Sequence, residues 1–158
     1  MESQNLKTIK DELSHLSQKQ LIEIVLRLSR FKKENKELLS YELFEAQDED
    51  NFVFMIKNEM DENFRNINTK TSYYIRKSCR KILTQTKKHI RYSKVKETEV
   101  RLLLHFCENM KEIKPSIKTS TRLQNMFNTQ LTMAKKALSK LHEDLQYDYN
   151  IIIEQLEN

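Results

Sequence analysis

Glycine occurs nowhere in this chain, and proline occurs once, at Pro115. Glycine is the usual residue for a left-handed helix stop, a tight hairpin turn or a loop that cradles phosphate. Rossmann, P-loop and β-sandwich architectures depend on that freedom in their functional loops. What remains open to a glycine-free chain is helices joined by short polar turns. The sequence therefore predicts an all-α fold.

Apolar residues make 38% of the 158 positions and charged residues 32%. That mixture supports a buried core within one domain over 1–158, with N-terminal helices over 1–114 and a C-terminal helical segment over 119–158. The longest apolar run, Phe52-Val53-Phe54-Met55-Ile56, falls far short of the roughly 20 residues a membrane span requires. Met1-Glu2-Ser3-Gln4-Asn5 has none of the basic and apolar start of a signal peptide. Cys79 and Cys107 match no metal or redox spacing and read as reduced thiols of a cytoplasmic protein, packed as small hydrophobes.

Spacing at three and four residues sets out the elements. Leu6, Ile9, Leu13 and Leu16 predict a first helix, and Ser17-Gln18-Lys19-Gln20 is a capping box opening a second over about 18–32. Apolar residues spread around much of that second helix, which predicts the most buried element of the fold. Leu38, Leu39, Leu43 and Phe44 mark a third. Asp48-Glu49-Asp50 opens a fourth that would bury Phe52, Met55, Ile56, Met60 and Ile67. A fifth runs about 71–92 and a sixth about 95–113, ended by Pro115. From Leu123 to Leu156 no breaker occurs, so either one long helix follows or two that bend near Tyr147-Asp148-Tyr149-Asn150. The expectation is six or seven helices, in an antiparallel bundle or stacked helical hairpins, with a long C-terminal helix.

The formal net charge of +5 hides a strong asymmetry. Residues 1–69 carry ten bases and fourteen acids, and residues 97–158 carry eight bases and nine acids. Residues 70–96 carry ten bases and no acid. Projected on a helix, Ile75, Cys79, Ile82, Leu83, Thr86 and Ile90 fall on one arc. Arg76, Lys77, Arg80, Lys81, Lys87, Lys88 and Arg91 fall opposite, with Tyr73 among them and Tyr74 and Tyr92 at the edge. Like charges at i,i+4, as in Arg76–Arg80, Lys77–Lys81 and Lys87–Arg91, repel. Something negative should compensate: nucleic acid, an acidic protein surface, anionic lipid, or the acids of residues 42–62. A plain solvent face is the bland alternative. Membrane binding is disfavoured because the segment has no Trp and little apolar bulk.

Catalytic and metal constellations fail on inspection. Glu12 and His15 form one half of a di-iron motif that needs a second copy and two further glutamates. Asp48 to Glu59 has the length of a calcium loop, but Phe52 stands at a ligand position and the central glycine is missing. His105 and Cys107 point about 200° apart on a helix and cannot form a dyad. Glu59 projects onto the apolar side, where it would be buried beside a basic partner. No helix-turn-helix glycine, zinc-finger spacing or RNP signature is present, so nucleic-acid binding would rest on phosphate contacts.

Leu16-Ser17-Gln18-Lys19-Gln20-Leu21-Ile22-Glu23 and Arg30-Phe31-Lys32-Lys33-Glu34-Asn35-Lys36-Glu37-Leu38-Leu39 resemble a group of small all-helical bacterial proteins with no assigned role. Ile75-Arg76-Lys77, Ile90-Arg91-Tyr92-Ser93, Glu97-Thr98-Glu99-Val100 and Phe106-Cys107 are similar in the same way. The resemblance implies a bacterial, cytoplasmic, all-helical setting and carries over no functional residue.

The sequence thus points to a non-enzymatic interaction or scaffold module without cofactor, metal or small-molecule substrate. Its expected partner is an acidic protein surface or a second copy; Ile151, Ile152 and Ile153 cannot all face one way on a helix, so part of the triplet must meet a neighbouring helix or another subunit. Nonspecific nucleic-acid binding through residues 70–96 is the alternative.

Overall fold

The computed structural model describes all of residues 1–158, and it is all-helical. Eight α-helices follow one another: α1 (Leu6–Ser14), α2 (Gln18–Phe31), α3 (Lys33–Ser40), α4 (Glu49–Arg65), α5 (Ser72–Ser93), α6 (Lys96–Glu112), α7 (Thr121–Leu138) and α8 (Glu143–Glu157). A π-helical turn covers Tyr41–Glu45 and a 3-10 turn covers Ile117–Thr119. Side-chain caps replace glycine almost throughout. Asn5, Ser17, Asp48, Thr71, Ser120 and His142 each accept a backbone N–H of the helix they open. The α5–α6 corner is different: Lys94 takes φ 57° and ψ 0°, the left-handed stop that glycine normally provides. Ser93 Oγ accepts the Val95 N–H just beyond it and donates to Glu49 Oε1.

The chain gathers into two compact units, Met1–Phe44 and Glu45–Asn158. In the second, α6 is the hub and packs against α4, α5, α7 and α8. Val100, Leu102, Phe106, Cys107 and Met110 of α6 are completely buried. Around them lie Met60 and Phe64 of α4, Ile75 and Ile82 of α5, Leu123 to Leu138 of α7, and Ile153 and Leu156 of α8. Phe64 and Phe106 meet with ring centroids 5.4 Å apart. In the first unit only Tyr41 is buried.

Three expectations need correction. The helix count is eight because there is no long C-terminal helix. The chain turns at Ser139 to His142, and His142 Nδ1 restarts it by accepting the Asp144 N–H at 3.3 Å. Tyr147-Asp148-Tyr149-Asn150 lies inside α8 rather than at the bend. Second, α2 buries no residue. Apolar positions all round a helix mark faces that could be covered, and here most are left in solvent. Third, Met55 of α4 is exposed while Val53 and Phe64 take core places, and Ile67 is half-buried beyond the helix end.

Candidate docking surface

The basic segment forms a regular helix whose core face is fixed by Ile75, Cys79, Ile82, Leu83 and Thr86. That anchoring turns the charged arc outward. Tyr73, Lys77, Arg80, Lys81 and Arg91 are exposed, while Arg76, Lys87 and Lys88 are half-buried. The Arg76 guanidinium sits 5.7 Å from the centre of the Tyr73 ring, and Tyr73 and Tyr74 stack edge to face at 5.4 Å. Tyr92, expected at the edge of this face, is instead buried edge-on to His89.

Arg76, Lys77, Arg80, Lys81, Lys87 and Arg91 form no salt bridge. Lys88 differs, since it is engaged within the fold. The acids of α4 are committed elsewhere. Asp50 pairs with Arg101 at 2.6 Å, Asp61 with His105 at 2.6 Å, and Glu62 with Arg65 at 2.7 Å. Glu59 approaches His89 at 4.0 Å, and Glu49 accepts Ser93 and Thr98 hydroxyls. Glu59 does have a basic neighbour but is half exposed, because it leans outward from the core stripe. The like-charge neighbours on α5 therefore stand uncompensated by these carboxylates.

A second basic element adjoins this face and is missed when residues 97–158 are counted as one block. Residues 113–142 carry six bases and no acid, masked by the acids on either side. Lys87 Nζ lies 3.8 Å from Met133 Sδ, which brings α7 beside α5. Arg122 and Lys136 share Met133's side of α7 and are exposed. Splitting the charge tally at Pro115 and at His142 would have revealed them.

A polar cluster lies where α4 meets α6. A cleft of about 470 Å³ is lined by Asp61, His105, Glu108 and Asn109 together with α8 side chains. His105 Nε2 lies 2.6 Å from Asp61 and Nδ1 lies 3.1 Å from Glu108. Both ring nitrogens of His105 are thus engaged by carboxylates, one from α4 and one from its own helix. Partial burial acts to raise the Asp61 pKa, but hydrogen bonds from Asn109 and His105 outweigh it and hold the carboxyl below its ordinary value. Cys107, two residues on, is completely buried and donates toward the Phe127 carbonyl. Burial pushes the thiols of both Cys79 and Cys107 up to about 12. The histidine cluster thus ties α4 to α6.

No family model, curated protein or solved structure matches this chain. No group of three or more His, Cys, Asp or Glu side chains is placed to hold a metal ion, and no helix is long and apolar enough to cross a membrane.

Proposed function

We propose that this protein is a non-enzymatic helical interaction module that docks an acidic protein surface on the basic face of α5, widened by Arg122 and Lys136 of α7. The carrying observation is a row of exposed bases with no salt bridge, on a helix whose opposite face is locked into the core. Repulsion along that row is relieved when a polyanion arrives, so the surface is built to bind rather than to be neutralised internally. The helices of residues 45–158 serve as stacked hairpins that hold this face rigid. Free, buried cysteines suit the cytoplasmic setting the reading assumes.

One observation favours nucleic acid as a second reading. Tyr73 and Tyr74 are 57% and 42% exposed at one end of the face, with Arg76 against the Tyr73 ring. Aromatic and guanidinium groups beside a basic row can stack on unpaired bases.

Fluorescence anisotropy with a polyglutamate peptide, duplex DNA and single-stranded RNA, at about 50 and 200 mM salt, separates these readings. The expected result is micromolar peptide binding that collapses at the higher salt and is lost in an Arg80→Glu/Lys81→Glu/Lys136→Glu variant. Tighter binding to single-stranded RNA, sensitive to Tyr73→Ala, replaces the first reading with the second. No binding of any ligand at low salt overturns both.

A further inference from the structure

Within residues 1–44, α2, α3 and the π turn enclose a groove of about 590 Å³. Its floor is apolar, formed by Leu26, Leu39, Leu43 and Phe44, and Phe44 is 73% exposed. Its rim carries Arg30, Lys33 and Lys36, and no acidic side chain lines it. Such a groove suits an amphipathic helix that is acidic where this one is basic.

The chain carries a helix of that chemistry. Residues 143–158 hold five acids and no base. The inner face of α8 is buried through Ile153 and Leu156, whereas Tyr147 and Ile151, one turn apart on the outer face, are 71% and 45% exposed. Asp148 and Glu154 flank that pair on either side and form no salt bridge. The isoleucine triplet thereby divides: Ile153 faces the core, Ile152 lies at its edge and Ile151 faces out.

We propose that a second copy of this chain lays its α8 into the groove, Tyr147 and Ile151 on the apolar floor and Asp148 and Glu154 against the basic rim. Groove and helix occur once per chain, and the pairing we propose is two-fold, each chain offering its groove to the other's helix. The basic face of α5 is a poorer seat for α8, because it offers charge without an apolar floor for the two anchors.

Sedimentation equilibrium of the full chain between about 1 and 100 μM tests the pairing. The mass is expected to rise from the 19.1 kDa of one chain to twice that value. Arg30→Glu/Lys36→Glu, and separately Asp148→Lys/Glu154→Lys, should each weaken dimerisation at least about tenfold. Combining all four restores the pairing to within about threefold of the natural chain, with circular dichroism reporting unchanged helix throughout. Arg80→Glu/Lys81→Glu leaves the dimer intact, so loss of the α5 surface and loss of this interface are told apart. A monomer at 100 μM overturns the proposal, whether the groove is filled by the chain's own helix or awaits another protein. Growth past a dimer, or failure of the fourfold charge exchange to rescue, overturns it equally.

Discussion

Residues 1–44 and residues 45–158 share one way of making helices and differ in what those helices cover. Ser17 and Gln20 close a complete capping box at α2, with bonds of 3.2 and 2.9 Å, as sound a start as any in the second unit. Yet α2 buries nothing, while α6, which has no side-chain cap, buries eight residues including Phe106. Caps and periodicity decide that a segment coils and which side is apolar. Whether that side is covered depends on what else is near, and short helices are marginal in water without such cover. The contrast teaches that the second unit is held by its interior, and the first mainly by local bonds.

The sharpest way to break this comparison is a paired truncation. Phe106→Ala should cost about 3–5 kcal/mol in urea unfolding followed by circular dichroism, because it opens a cavity against Phe64. Leu28→Ala, at a position 55% exposed, should change the same quantity by less than about 0.5 kcal/mol. Equal losses would mean that the two regions are stabilised alike.

Asp61→Ala sharpens the second half of the contrast, since it removes hydrogen bonds from His105 and Asn109 that join α4 to α6. The expected loss is about 1.5 kcal/mol, moderated by partial exposure. Because the folded pKa lies below the ordinary 3.8, this stabilisation is fully present above that value and disappears as pH falls through the folded one. The gap between the natural chain and Asp61→Ala should accordingly narrow in acid. A gap that widens in acid contradicts the assignment.

Ser17→Ala probes the first unit. A loss of about 1 kcal/mol is expected, confined to faster amide exchange within 18–31, with α6 and α7 unaffected. The smallest effect is a gain: Lys94→Gly should stabilise by about 0.5 kcal/mol, as relief of the left-handed backbone exceeds the added freedom of the unfolded chain. A loss there would mean that the lysine side chain contributes to the corner.

Much of the second unit was legible beforehand. The acidic helix start at Asp48-Glu49-Asp50, the core arc of α5 and the stop at Pro115 are local signals, and local signals can be read one turn at a time. The break at Ser139 was not, because it has neither glycine nor proline and the apolar spacing of Leu138, Leu141 and Leu145 continues through it. The exposure of α2 is illegible for a different reason: apolar spacing records an appetite for contact and is silent on whether a partner lies in the same chain. The charged arc of α5 could be projected directly, whereas the Lys87–Met133 approach that adds α7 spans 46 residues and follows from tertiary packing alone.

Cys79 and Cys107 have no exposed surface and keep their protons into strongly alkaline solution. An alkylating dye therefore finds no thiolate on the intact molecule, and a cysteine introduced at the surface would be tagged alone. Conversely, any reagent that reaches the native pair must have waited for the interior to part, so the rate of their modification is a clock for breathing of the molecule around its central helix.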